Sequence, residues 1–224
     1  MYKAIFIDID DTLLDFNVAS KSAFKTSIHD FNLEWNDAIY QTYKNIDDRL
    51  WVHQKNGQIS VQDVINLRFK ELFIQLNIDL DYKYFRDSFQ ENLSKEHVLI
   101  EGALEVIQYL SSKYHLFVAS NSLLLMQKSR LKRANLLAYF SDLYISSEIG
   151  YEKPDRRFFE ICLDRSHISR EDVLFVGDSL EADMQGASSC GIDTCWYNPN
   201  KLSHDKSIKI NYMIQKLTDL KQIL

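Results

Sequence analysis

The chain has 224 residues, 46% of them hydrophobic, and a net charge of −6 from 26 Lys and Arg against 32 Asp and Glu. That length and apolar content support one large domain or a core domain carrying an insertion. The acidic balance argues against broad binding to nucleic acid or an acidic membrane, although a basic pocket for one phosphate would not register in so coarse a sum, and a small-molecule partner is expected.

Ala4-Ile5-Phe6-Ile7 predicts a short buried strand. It is too short to cross a membrane, and the acids after it would break a signal-peptide core. Asp8-Ile9-Asp10-Asp11-Thr12 follows directly, and in an extended chain Asp8, Asp10 and Thr12 point to one side. Acids at the end of a buried strand are costly unless compensated, and a hard cation would compensate them. The alternative is an Asp-rich turn with Thr12 as a helix cap.

Apolar residues recurring every three or four positions predict helices over 17–31, 36–55, 60–76 and 81–95, with no strand between them. Ser60 and Asp63 predict a capping box, and Asn56-Gly57 a turn before it. From residue 100 the pattern alternates: helix 102–112, strand 115–120, helix 123–135, strand 142–146, helix 155–164, strand 172–177, helix 180–189, strand 192–196. Residues 211–224 suggest an edge strand and a terminal helix. Such alternation implies a parallel sheet covered on both faces, an α/β Rossmann-like core. The first strand would bury unpaired backbone groups if left alone, so it must join that sheet. The core is then 1–15 and 97–224, and 16–96 is an all-helical insertion with polar hinges near 15–17 and 95–101. Cys162, Cys190 and Cys195 form no CxxC and have no histidine at zinc-ligand spacing, which fits free thiols in a cytoplasmic protein.

Three further strand ends carry polar groups. Ser120-Asn121 could donate to an anionic oxygen or could cap the next helix. Lys153-Pro154-Asp155 places a lysine just before a helix, with Pro154 suited to the first turn. That lysine could neutralise acids and phosphate oxygens, or simply be solvated. Val173-Leu174-Phe175-Val176-Gly177 leads into Asp178-Ser179, and Asp183 follows. Asp178 or Ser179 could be helix caps, but capping does not account for functional side chains at the ends of four strands of one sheet.

In that order, Asp8-Ile9-Asp10-Asp11-Thr12, Ser120-Asn121, Lys153-Pro154 and Gly177-Asp178 through Asp183 resemble the four motifs of haloacid dehalogenase superfamily phosphatases. The resemblance spans the whole predicted core and implies a helical cap inserted after the first motif. Leu50-Trp51-Val52 through Asn56-Gly57, Arg68-Phe69 and Thr194-Cys195-Trp196-Tyr197-Asn198 are similar to the YjjG-type nucleoside 5′-monophosphate phosphatases. What the resemblance implies is a Mg²⁺-dependent phosphomonoester hydrolase in which Asp8 is the nucleophile and Asp10 the acid and base. Asp8, Asp178 and the Asp10 carbonyl would hold the metal, Ser120, Asn121 and Lys153 the phosphoryl oxygens, and Asp183 would stand behind the metal ligands or reach the metal through water, and orient Lys153. The dehalogenase branch generally lacks an acid at the place of Asp10, so phosphate transfer is the expected chemistry. A sugar-phosphate or phosphoglycolate phosphatase, a phosphomutase, and a non-catalytic binding protein on the same fold are the alternatives. Many relatives have Gly where this chain has Ser122, a place where strain is expected if the backbone angle is one that Gly favours. In the insertion, Trp51, Tyr43 and Phe69 could stack on a nucleobase with Arg49, Arg68 and His53 as polar contacts, or could be core. Partners are then a phosphate ester, no nucleic acid polymer and no membrane, for a monomer or homodimer.

Overall fold

The computed structural model describes residues 2–224. The chain forms two compact units: one takes the chain up to Phe16 and again His97–Leu224, the other Asn17–Glu96.

The first unit is built on six parallel strands, β1 (Ala4–Ile7), β2 (His115–Ser120), β3 (Asp142–Ile145), β4 (Val173–Gly177), β5 (Asp193–Tyr197) and β6 (Tyr212–Ile214), in the order β3-β2-β1-β4-β5-β6. β1 is central, so its backbone groups are paired on both sides, as its isolation in the sequence required. Its residues alternate between faces: Ile5 and Ile7 join Leu116, Val118, Leu174 and Val176 in one apolar layer, while Ala4 and Phe6 join Phe117 and Phe175 in the other. Ile7 is in register with both Val118 and Val176. The segments leaving β1, β2 and β4 therefore emerge at one level at the carboxyl edge, where such sheets bind ligands.

The second unit is four helices, α1 (Phe16–Asp30), α2 (Asp37–Lys55), α3 (Val61–Gln75) and α4 (Tyr82–Leu93). Ser60 and Asp63 form the capping box of α3, each side chain bonded to the other's backbone N–H. The core of this unit is aromatic: Tyr43 and Phe69 are fully buried and stacked, 5.5 Å apart, among Phe24, Phe85 and Phe89. Arg68 is buried with them, paired to Asp47 at 3.1 Å. Tyr43, Phe69 and Arg68 are thus packing residues, whereas Trp51 and His53 are half-buried and Arg49 is exposed and paired to Glu71.

The helices of the first unit are α5 (Ala103–Ser111), α6 (Leu124–Arg133), α7 (Ser146–Ile149), α8 (Arg156–Ser166), α9 (Gly186–Ser189) and α10 (Leu220–Ile223). Two local expectations need correction. The helix expected over 180–189 is a π-helical turn, Leu180–Gln185, followed by α9. Ser179 O accepts from both Asp183 N and Met184 N, at 3.0 and 3.1 Å, which widens the turn. Pro154 is not in the first turn of α8; Asp155 caps that helix, accepting from Arg157 N, and Pro154 precedes the cap.

Candidate active site

The backbone after β1 stays attached to the sheet for one more residue, with Asp8 N donating to Val176 O at 2.9 Å. It then closes into a tight turn in which Ile9 O accepts from the backbone N–H groups of Thr12, Leu13 and Leu14. Asp11 takes the left-handed conformation at φ 59°, one that Asp tolerates better than most residues, and its carboxylate accepts from Phe16 N. The extended alternation expected through Thr12 is therefore wrong beyond Ile9. The turn nonetheless returns Thr12, fully buried, to the acids: its hydroxyl lies 3.4 Å from Asp8 Oδ2 and 3.2 Å from Asp178 Oδ1.

Lys153 is 2% exposed, and its ammonium donates to Asp8 Oδ1 at 2.7 Å, Asp183 Oδ1 at 2.6 Å and Ala119 O at 2.8 Å. Three acceptors for three N–H groups is full satisfaction. Its backbone is held by Asn121, whose side-chain amide both donates to Lys153 O and accepts from Lys153 N, each at 2.8 Å. The Asn121 side chain, expected on a phosphoryl oxygen, is thus a brace between β2 and the lysine. Asp183 Oδ2 accepts from Ser179 N at 3.0 Å, so both of its oxygens are engaged by the protein. Gly177 makes this possible: a Cβ there would lie 2.3 Å from Asp183 Oδ2. Asp178 is fixed from behind by the Trp196 indole, which donates to Asp178 O at 2.7 Å.

Asp8, Asp178 and Asp183 each bring a carboxylate oxygen within 4.8 Å of the others. One ammonium faces Asp8 and Asp183, with Asp178 beside them, so three carboxylates share a single nearby cation. Burial pushes the Asp8 carboxyl up to about 7 against the pull of Lys153, with the Asp183 and Asp10 charges adding to the rise. Burial also works against the charged ammonium of Lys153, but Asp183 and Asp8 outweigh it and raise its pKa above the ordinary lysine value. Lysine stays charged, and the acids carry surplus negative charge that a hard cation would relieve. Carboxylate oxygens at this spacing suit Mg²⁺, which is commonly bound by one or two carboxylates together with water and phosphate.

Asp10 points elsewhere. Its carboxylate accepts from Gln127 Nε2 at 2.7 Å and is paired with the Arg130 guanidinium, both from α6. Gln127 also donates to Ser120 Oγ at 3.3 Å. Sequence reasoning missed both residues. The available signal was two polar groups three apart on the helix that follows Ser120-Asn121. Ser122, a concern as a replacement for Gly, shows no strain: it is absent from the positive-φ residues, and its buried N–H donates to Ser146 Oγ at 3.0 Å.

The family model for haloacid dehalogenase-like hydrolases matches residues 5–197. The HAD-hydrolase YfnB of Bacillus subtilis is 32% identical over 224 residues, spanning 100% of this chain and 95% of the relative. Its magnesium-bound crystal structure superposes with a TM-score of 0.93, covering 100% of this chain and 98% of that one. Two relatives are named pyrimidine 5′-nucleotidases: PynA of Streptococcus pneumoniae, 32% identical over 98% of this chain and 93% of its own length, and YjjG of Escherichia coli, 27% identical over 98% and 96%. With the six-stranded parallel sheet and the acids gathered at its carboxyl edge, these matches establish that the chain belongs to the haloacid dehalogenase-like hydrolase family.

Proposed function

We propose that the chain is a Mg²⁺-dependent phosphomonoester hydrolase that works through an aspartyl-phosphate on Asp8, with nucleoside 5′-monophosphates as substrates. The observation that carries this reading is the separation of two acids two residues apart. Asp8 faces Lys153 and the Asp178-Asp183 group, while Asp10 is held on α6. A nucleophile and a proton donor need such distinct environments. The full-length similarity to PynA and YjjG supports the substrate class.

Asp8 attacks phosphorus, the P–O ester bond breaks with its electron pair on the leaving oxygen, and Asp10 gives that oxygen a proton. Water then attacks the acyl phosphate while Asp10 takes its proton back, releasing phosphate and regenerating Asp8. Ser120 and the backbone that follows it hold the phosphoryl oxygens, the Lys153 ammonium offsets their charge from its place beside Asp8, and Asn121 and Asp183 fix Lys153. Asp8, Asp178 and the Asp10 carbonyl would hold Mg²⁺, which would supply positive charge to offset that of the phosphoryl group. Buried reduced cysteines favour a cytoplasmic setting.

No helix among the described residues is long and apolar enough to cross a membrane. Purified protein in Mg²⁺ is given uridine, cytidine and thymidine 5′-monophosphates beside sugar phosphates and phosphoglycolate, and released phosphate is measured. Nucleotides with the highest kcat/KM support the proposal. Preference for sugar phosphates or phosphoglycolate would remove the nucleotidase reading and leave the phosphatase one, and no release from any ester would remove both.

A further inference from the structure

Gln127 and Arg130 are both fully buried on α6, three residues apart and so on one face of the helix. Arg130 Nη1 donates to Gln127 Oε1 at 3.1 Å, Gln127 Nε2 donates to Asp10 Oδ2 at 2.7 Å and Ser120 Oγ at 3.3 Å, and the guanidinium pairs with Asp10 Oδ1. The Arg130 side chain is 0% exposed and that of Asp10 26%. A guanidinium taken wholly out of water is expensive, and an apolar residue of similar volume is often as stable or more so. Packing alone therefore gives no reason for an arginine here. Geometry gives one, because the two α6 side chains fasten both Asp10 oxygens and tie them to Ser120.

We propose that Gln127 and Arg130 are positioning residues that fix the Asp10 carboxylate toward the leaving group and keep it out of the Asp8-Asp178-Asp183 group. The proposal rests on the reading of Asp10 as acid and base. Asp10 gives its proton to the leaving oxygen as the P–O bond breaks, and the benefit depends on how badly that oxygen needs a proton. A nucleoside alkoxide needs it strongly; p-nitrophenolate leaves without it. Hydrolysis of the acyl phosphate, where Asp10 is the base, is common to both esters, so a device that only positions Asp10 should separate them in kcat/KM, which reports the steps up to departure of the leaving group: a large loss for the first ester and a small one for the second.

The test measures kcat and KM for a nucleoside 5′-monophosphate and for p-nitrophenyl phosphate, in Mg²⁺, with native protein, Arg130→Met, Arg130→Lys, Gln127→Leu and Asp10→Asn. Folding is checked by circular dichroism. General acid catalysis contributes about 10²–10⁴-fold, and a misplaced group forfeits part of it. The expected result for Arg130→Met is a kcat/KM on the nucleotide lower by about 10- to 100-fold and a much smaller loss of kcat/KM on p-nitrophenyl phosphate, whatever the shared dephosphorylation step does to kcat. Arg130→Lys should restore part of the nucleotide rate, and Gln127→Leu should show the same split on a smaller scale. If Arg130→Met does not fold, the split in Gln127→Leu and Arg130→Lys decides. Equal losses on both esters, or none, while Asp10→Asn keeps its selective loss on the nucleotide, would overturn the positioning role alone. Asp10→Asn losing kcat/KM equally on both esters would overturn the reading of Asp10 as the acid for the leaving group, and with it this proposal. A native protein that turns over neither ester would overturn the phosphatase reading itself.

Discussion

Replacing Lys153 by Met keeps most of the side-chain volume and removes the one ammonium that faces Asp8 and Asp183. Those carboxylates are 9% and 1% exposed and sit 2.7 and 2.6 Å from the ammonium, so water cannot take over the lost charge. Removing one partner of a buried ion pair costs about 3–5 kcal/mol. At roughly 2–4 °C per kcal/mol for a chain of this size, the melting temperature should fall by about 6–20 °C. The loss should depend on pH. Carboxylates that lose their counter-charge have folded pKa values further above the ordinary carboxylate range. Such acids contribute least stability above the folded pKa, so stability falls as pH rises from about 4 through that value. Burial has already pushed Asp8 of the native chain up to about 7, so its own stability declines in the same direction, though less steeply. The gap between native and variant should widen from pH 5 to pH 8, as read by thermal melts followed by circular dichroism in chelator. Adding Asp183→Asn to the variant should recover part of the loss by removing one stranded charge. A loss below about 1 kcal/mol, or an equal loss at both pH values, would refute the claim that this lysine neutralises two buried acids.

Metal binding should carry the same signature. Asp8 must be ionised to hold a cation, and its pKa near 7 makes Mg²⁺ affinity rise from pH 6 to pH 8 with proton release, measurable by titration calorimetry in buffers of different ionisation enthalpy. Affinity independent of pH would contradict that assignment. Gly177→Ala puts a methyl 2.3 Å from Asp183 Oδ2, which Lys153 and Ser179 hold in place. Stability should drop by about 1–3 kcal/mol in denaturant titrations, with activity lost as Lys153 shifts. Ser60→Ala removes the α3 cap in the helical unit and should cost about 1 kcal/mol while kcat on p-nitrophenyl phosphate is unchanged.

The sheet was legible because its signals are local and repeated: apolar runs at β1, β2 and β4 end in Asp8, Ser120 and Asp178, and equal register carries those ends to one edge. The capping box at Ser60 was legible for the same reason. What could not be read depends on backbone geometry or on burial. Thr12 reaches the acids through a left-handed Asp11, and Asp183 through a π-helical turn over a glycine, neither of which periodicity reveals. Tyr43 and Phe69 offer the same apolar ring to a core as to a nucleobase, and only their complete burial assigns them. Gln127 and Arg130 lie in a segment whose other charges, Lys128, Lys132 and Arg133, make the whole helix look solvated. Charge on a helix usually marks the exposed face; here two of the polar groups turn inward because Asp10 receives them.

The most direct test of the account is phosphate release from uridine 5′-monophosphate by Asp8→Asn in Mg²⁺. The substitution keeps the shape of the side chain and removes the nucleophile. The expected result is a folded protein with native-like melting and no turnover above background. A folded Asp8→Asn enzyme working at the native rate would contradict it.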